Sequence, residues 1–294
     1  MNDAYDNPKI RNQIKILDDR DESNLYVYSN IELAARYSKN THNFNILKFL
    51  LNDNKIDKEI LNNILRQIVH YTQSISSIDA VELLIDNGAD VNFIDHDDYN
   101  ILMVACSSLN ESANFDVVKL LIERGANINY VNSGGKTALS LMCKYKWQRE
   151  TNKIAILLIE KGATINIKDE NEQTELMNLI RNFKNNDDLE IMKLLISKGT
   201  QSNYVNCKNK NFKTSLMMCF EYDYKISTRY YIIKLLLDNK ADIYIKNING
   251  ENILDIVKKN IEQNSDIYSL IFNYKNLKND HLCEFDIDFI YNYF

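Results

Sequence analysis

The sequence predicts an all-α solenoid of about seven helix–turn–helix units joined by short β-hairpin loops. Related phrases recur along the chain, as in VELLIDNGADVNF (81–93) and VKLLIERGANINY (118–130). Each phrase contains a glycine, and these glycines are 37 residues apart: Gly88, Gly125, Gly162 and Gly199. A period of about 20–50 residues is typical of stacked repeats, each of which buries its apolar face against its neighbours.

Each unit contains two predicted helices. A polar residue precedes the first helix and stands two residues before a leucine: Asn100, Thr137, Thr174, Thr214 and Asn252. A side-chain oxygen at this position accepts an amide of the first turn, so we expect five N-caps. The second helix ends shortly before the recurring glycine, which is expected to be a C-cap with positive φ. In the outer units Asn54 and Lys240 hold that position, where Lys240 should cost roughly 1 kcal/mol.

The composition argues against several classes of protein. A net charge of −6 does not favour binding to nucleic acid, and no apolar run reaches the roughly 18 residues of a membrane span. The acidic start lacks the apolar core of a signal peptide, and five cysteines without a CxxC pattern fit a reducing compartment. We therefore expect a cytoplasmic or otherwise intracellular protein with no membrane partner.

The chain resembles the ankyrin repeat family. That family's consensus runs T-P-L-H-x-A-A in the first helix and V-x-x-L-L-x-x-G-A-D-x-N in the second, and GKTALSLMC with VVKLLIERGANINY is similar to it. The resemblance covers residues 29–272 and leaves 1–28 as an N-terminal cap segment and 273–294 as a C-terminal capping tail. It implies a non-catalytic protein-binding module that needs no cofactor.

Three features depart from the family consensus. Ala138, Glu175 and Ser215 replace the proline that follows the cap, so the cap alone has to start the helix. The segments between the two helices are about four residues longer than in the consensus, which places insertions at one edge of the solenoid. The linker from Gly199 to Thr214 is three residues longer than the others. Such lengthened repeats are similar to those of ankyrin proteins from amoeba-infecting giant viruses.

Two motifs have a second interpretation, one as a nucleotide-binding site and one as a metal-binding site. SGGKT at 133–137 ends like a P-loop, but Tyr130 stands where the motif needs its first glycine, and the repeat phase makes the segment a hairpin tip. DHDD at 95–98 offers metal-binding groups, but no second cluster supplies further ligands, which favours an acidic, solvated tip.

The remaining chemistry in the sequence also favours a structural protein. Cys106 and Cys143 share one position in successive units, and we expect both to be reduced and buried. GxSxG, HExxH and GxGxxG motifs are missing, so we expect no enzyme activity. A nucleotide-dependent switch using Lys136 and Thr137 is the weakest hypothesis.

The resemblance implies that a partner protein binds the hairpin tips and the concave first-helix face. The matching tip residues are Asp97, Tyr99, Lys136, Asn171, Gln173, Lys210 and Lys213. The matching first-helix residues, seven or eight positions after the caps, are Ser107, Ser108, Lys144, Tyr145, Arg181, Asn182, Glu221 and Tyr222.

The charge of the tips also changes sign along the chain, from Asp95, Asp97 and Asp98 to Lys208, Lys210 and Lys213. This change in the sign of the tip charges, the predicted charge field, either orients the partner or is ordinary surface charge. In a virus or intracellular parasite the partner would be a host protein.

Aromatic residues support a second hypothesis, a scaffold that associates with itself. Trp147 and Tyr224 occupy equivalent positions in the insertions, with Tyr145, Tyr222 and Phe183 nearby. They are either interface anchors or covers for the ends of helices. The tail CEFDIDFIYNYF (283–294) alternates apolar and acidic residues, and we expect it to cover the last repeat or, alternatively, to dock onto a partner.

Overall fold

The structure is a computed structural model that describes residues 24–53, 56–71, 77–107, 115–144, 150–184, 187–199, 203–222, 224–259 and 265–279. The chain divides into two compact units: an N-terminal unit, Met1–Asp169, and a C-terminal unit, Glu170–Phe294. None of the helices in these described ranges has the length and apolarity needed to span a bilayer.

The described part of the N-terminal unit contains four helix pairs. The helices are α1 (Asn24–Arg36), α2 (Thr41–Asp53), α3 (Lys58–Tyr71), α4 (Ile78–Asp86), α5 (Ile101–Ser107), α6 (Phe115–Glu123), α7 (Ala138–Lys144) and α8 (Glu150–Glu160). The first helices α1, α3, α5 and α7 pack in one row, and the second helices α2, α4, α6 and α8 pack in another. Each first helix also contacts its own second helix, which is the helix–turn–helix stacking that the repeats predict.

Three further helix pairs lie in the described part of the C-terminal unit. They comprise α9 (Glu175–Arg181), α10 (Asp187–Gly199), α11 (Ser215–Met218), α12 (Ile226–Asp238), α13 (Ile253–Lys258) and α14 (Ser265–Asn279). A 3-10 turn at Tyr204–Asn206 lies in the longer linker. Over the described residues the chain therefore shows seven pairs, as the sequence predicts. The predicted caps at 1–28 and 273–294 lie largely outside the described residues.

The first helices α5 and α7 are seven residues long, and neighbours enclose them on most sides. In α5 every residue from Ile101 to Cys106 is buried, and in α7 the same holds from Ala138 to Cys143. Full burial of a Leu, Ile or Met side chain contributes about 1.5–3 kcal/mol, so this row of helices forms a large part of the core. Cys106 and Cys143 are buried thiols, as predicted, and burial raises the pKa of Cys106 to about 12.

Four of the five predicted N-caps are confirmed. The side chain of Asn100 accepts the amide of Met103 at 2.9 Å, and that of Thr137 accepts the amide of Ser140 at 3.0 Å. Thr174 and Asn252 cap α9 and α13 in the same way. The prediction is wrong for Thr214, whose hydroxyl makes no cap hydrogen bond and is buried without a partner.

This difference predicts opposite effects of one substitution at two equivalent positions. Thr214→Val should leave the free energy of unfolding unchanged or raise it by about 1 kcal/mol, because it removes a buried, unpaired hydroxyl. Thr137→Val should lower it by about 1–2 kcal/mol, because it removes a working cap. Urea unfolding of both variants measures the difference. Equal destabilisation would contradict the assignment of Thr214.

The predicted C-caps are confirmed at Gly88, Gly125 and Gly162, whose φ angles are 100°, 87° and 90°. Lys240 also adopts positive φ, 67°, as expected. Gly199 differs: α10 continues through it, and a Cβ there would lie 2.7 Å from the Tyr204 ring. Its glycine is therefore required by close packing rather than by a left-handed conformation. Asn54 lies outside the described residues.

Candidate protein-binding surface

A buried Asp or Asn organises the hairpin tips. The Asp95 carboxylate accepts the amides of Asp97 and Tyr99 at 3.0 and 2.9 Å. Asn132, Asn209 and Asn247 accept the amides two and four residues ahead in the same way. These residues and the buried Asp169 all stand five positions before an N-cap. The recurrence of Asp or Asn at this position is visible in the sequence. That its side chain accepts the amides of the tip is visible only in the structure.

The prediction of an acidic, solvated tip is wrong for Asp95. Its side chain is buried, and Arg66 on α3 donates Nε–H to its Oδ2 at 2.6 Å. Asp98 is engaged as well, because the hydroxyl of Tyr130 and the amide of Ser133 both donate to its carboxylate. The Tyr130 hydrogen bond lowers the pKa of Asp98 and raises the pKa of Tyr130. Of the three acids in the predicted field, only Asp97 is a largely exposed carboxylate.

Asparagine side chains tie successive loops of the N-terminal unit together. Asn92 donates to the carbonyl of Gly125 at 3.1 Å and accepts the amide of Asn127 at 2.7 Å. One repeat later, Asn129 makes the same two bonds to Gly162 and Thr164, at 3.2 and 2.7 Å. The loops are thereby fixed relative to one another before any partner binds.

A groove of about 810 Å³ lies between the first helices and a hairpin tip of the N-terminal unit. Its lining residues come from α1, α3, the tip at 95–99 and α5: Glu32, Arg36, Arg66, Gln67, His70, Asp95, Asp97, Tyr99, Val104 and Ser107. The predicted residues Asp97 and Tyr99 line it, and Lys136 lies beside it with Nζ 3.3 Å from the Tyr99 hydroxyl. Lys144 is half-buried at the end of α7, whereas Tyr145 lies outside the described residues.

The groove contains residues that the sequence did not single out. Arg36 stands seven positions after Ser29, so the rule applied to the later units would have found it. Arg66, Gln67 and His70 carried no such signal, because α3 has no recognisable hairpin ahead of it. Arg66 joins this helix to the tip by contacting both Asp95 and Asp97.

In the C-terminal unit, two of the predicted residues pair with each other. Lys213 at a hairpin tip forms an ion pair with Glu221 at the end of the adjacent first helix. Glu251 and Lys259 occupy the same two positions one repeat later and form the pair with the charges reversed. Lys210, Asn171 and Arg181 are exposed, and the amide of Lys210 donates to the Asn171 carbonyl at 3.2 Å. Gln173 and Tyr222 are half-buried.

The described aromatic residues of the insertions cover a helix end. The Tyr224 hydroxyl donates to the carbonyl of Ile180 near the end of α9, and its ring lies edge-on to Phe183 with centroids 6.0 Å apart. Burial raises the pKa of both Tyr224 and Tyr222. This favours the interpretation in which these residues fold back over the helix. Trp147 and most of the first two insertions lie outside the described residues.

The two alternative ligand motifs are built into hairpin tips. In SGGKT, the amides of Gly134 and Lys136 donate to Asn132 at 3.1 and 2.8 Å, so both are already engaged. A Cβ on Gly135 would lie 2.3 Å from the Lys168 carbonyl oxygen, so this glycine permits close loop packing. Within the described residues, no group of three or more His, Cys, Asp or Glu side chains is arranged to hold a metal ion.

Comparison with protein families decides the classification. The family model described as ankyrin repeats (3 copies) matches residues 31–132, 73–169 and 110–206, together more than half of the chain. The chain belongs to the ankyrin repeat family. Ankyrin repeats are generally protein–protein interaction modules, so the coarse function follows from the membership.

Solved structures agree with this ankyrin fold. A chain from the complex of the predatory endopeptidase Bd0816 of Bdellovibrio bacteriovorus with immunity protein Bd3460 is similar, with a TM-score of 0.54 and 24% identity. The match covers 68% of this chain and 93% of that chain, and at this identity it concerns the fold alone. No curated protein matches the sequence. In all, 475 chains of solved structures match this chain.

Proposed function

We propose that this ankyrin-repeat protein binds another protein through its hairpin tips and the adjacent ends of its first helices. The observation that carries the proposal is the groove of about 810 Å³, which joins α1, α3 and α5 to the tip bearing Asp97 and Tyr99. Buried Asp95 and the asparagine bonds between loops hold this surface in place. A preformed surface loses little conformational entropy on binding.

The groove's chemistry suits a partner segment that carries both charges and an apolar side chain. Glu32 and Asp97 supply negative charge, and Arg36 and Arg66 supply positive charge. Tyr99 offers an aromatic anchor of the kind that dominates many interfaces, and Lys136 lies 5.8 Å from the centre of its ring. We extend the proposed site to the equivalent positions of the later repeats: Lys144, Tyr145, Asn171, Gln173, Arg181, Lys210, Lys213, Glu221 and Tyr222.

A comparative capture experiment tests the groove. The wild type and the triple variant Gln67→Ala, His70→Ala and Tyr99→Ala are used as baits in the same cell lysate. The matched control replaces three exposed residues of the second-helix side of the same unit, Lys119, Glu160 and Lys161, by alanine. All baits must show the same melting temperature. We expect a protein that the wild type and the control capture and that the groove variant captures at least about tenfold less, a loss typical of removing one hot-spot residue.

Equal capture by the groove variant would contradict the assignment of this surface. Self-association is the second hypothesis, and mass measured at increasing protein concentration tests it directly. The aromatic residues of the insertions give the self-association hypothesis less support, because the Tyr224 hydroxyl is already bonded within the chain.

A further inference from the structure

The chain contains two Asn–Gly pairs, Asn87–Gly88 and Asn249–Gly250. A backbone amide that follows asparagine can attack the asparagine side chain, and glycine obstructs this attack least because it has no Cβ. The first pair ends α4, whereas the second lies in the hairpin tip at 247–251. These two environments predict different reactivity.

Asn87 is held by the hydrogen bonds of a helix end. Its backbone amide and its side-chain amide both donate to the carbonyl of Leu83, at 3.1 and 2.8 Å. The amide of Gly88, whose nitrogen would attack, donates to the carbonyl of Ile85 at 3.0 Å. Reaction at Asn87 therefore requires the end of α4 to unwind.

Asn249 lies in an exposed turn, and within the described residues no further hairpin tip follows it. Its backbone amide donates to the side chain of Asn247 at 2.9 Å, and that of Gly250 donates to the Asn247 carbonyl at 3.0 Å. A Cβ on Gly250 would meet no atom within 4 Å, whereas at the equivalent Gly135 it would lie 2.3 Å from the Lys168 carbonyl oxygen. Reaction at Asn249 therefore requires only that a single, loosely surrounded turn opens.

Two other tips have an asparagine at the position of Asn249, namely Asn171 and Asn211. The carbonyl of each accepts an amide of the following tip, at 3.2 and 3.1 Å. Glu172 and Phe212 follow them in place of glycine. Asn249 thus combines the residue that favours attack with the tip that is open on one side.

We propose that Asn249 is a site of spontaneous deamidation. The Gly250 nitrogen attacks Cγ of Asn249, the Cγ–Nδ2 bond breaks, and Nδ2 leaves as ammonia with the proton of the Gly250 amide. The resulting succinimide ring is opened by water at either of its carbonyls, which gives aspartate or isoaspartate. One water enters and one ammonia leaves, and nothing is oxidised or reduced.

The conversion changes the charge of this tip. Side-chain hydrogen bonds from Asn247, Lys259 and Asn249 lower the pKa of Glu251. After deamidation a carboxylate, which only accepts hydrogen bonds, faces Glu251 in place of an amide that donates one. In the isoaspartate form the main chain of the tip is also longer by one methylene. The surface of the last described tip therefore changes as the protein ages, whether or not a partner binds there.

Peptide mapping of the folded, full-length chain by mass spectrometry tests the site. The protein is incubated at mildly alkaline pH, because the deprotonated amide is the nucleophile, in isotope-labelled water that marks the new carboxyl oxygen. We expect Asn249 to react at least about tenfold faster than Asn87, because breaking the hydrogen bonds of a helix end adds to the barrier. In urea the two rates should become similar. Equal rates in the folded chain, or no conversion of Asn249, would overturn the proposal.

Two variants separate the contribution of the structure from that of the Asn–Gly pair. Glu172→Gly creates such a pair in a tip whose Asn171 carbonyl is bonded to the next tip, and we expect it to react at least about tenfold more slowly than Asn249. Gly250→Ala should slow Asn249 by a similar factor, and Asp98 at positive φ shows that a tip accepts a side chain at this position. Fast reaction of Asn171 would overturn the role of the open tip. An unchanged rate in Gly250→Ala would overturn attack by the Gly250 nitrogen.

Discussion

Replacing Asp95 by alanine is expected to lower the free energy of unfolding by about 3 kcal/mol, one of the two largest effects that we expect from a single substitution. The carboxylate accepts the amides of Asp97 and Tyr99 and the Nε–H of Arg66, and it is buried. Alanine leaves all three donors without this acceptor. Since these donors are partly buried, leaving them unpaired costs more than the net value of the hydrogen bonds themselves.

Asp95→Asn is the matched control, because asparagine performs the same role at Asn132, Asn209 and Asn247. This variant keeps an acceptor for the two amides and loses only the charge that faces Arg66. Since Arg66 is partly exposed, we expect a loss of about 1 kcal/mol or less. Urea unfolding measures both variants. If asparagine destabilises as much as alanine, the ion pair rather than the turn is the main contribution of Asp95.

Gly199→Ala is expected to destabilise the chain by a similar amount, about 3 kcal/mol, at the upper end of the cost of overpacking a core. The added methyl group would lie 2.7 Å from the Cβ, Cγ and Cδ1 atoms of Tyr204. The Tyr204 ring cannot easily move, because its hydroxyl accepts the amide of Leu176 at 2.9 Å and donates to the Glu175 carboxylate at 3.1 Å. Only 1% of the side chain is exposed.

Two comparisons make this prediction specific. Gly88→Ala meets no atom within 4 Å and should cost only about 1 kcal/mol, for a left-handed alanine. In a Tyr204→Ala background, Gly199→Ala should cost clearly less, because the ring atoms that it clashes with are gone and only the Cβ contact remains. Calorimetric unfolding of the four variants gives the coupling. Simple additivity of Gly199→Ala and Tyr204→Ala would show that the ring is not the cause.

The candidate site was predictable only in part. Asp97 and Tyr99 followed from the repeat phase, and both line the groove. Arg66 and His70 did not follow from it, because α3 begins without the hairpin that sets the phase in later units. Lys213 and Glu221 were both predicted as contact residues, but the sequence could not show that they pair with each other. Eight positions separate them in the chain, and the turn into the first helix brings their charges together.

By itself, the sequence determined the periodic features of this protein: the seven helix pairs, the buried Cys106 and Cys143, and the caps at Asn100, Thr137, Thr174 and Asn252. These depend on local hydrogen bonds and on an apolar pattern that every unit repeats. Tertiary structure alone decided that Asp95 is buried, that Thr214 does not cap and that Gly199 makes room for a tyrosine. The contacts that decide these three features are made by residues distant in the chain or by the local geometry of a single repeat. A pattern shared by all repeats encodes neither of them.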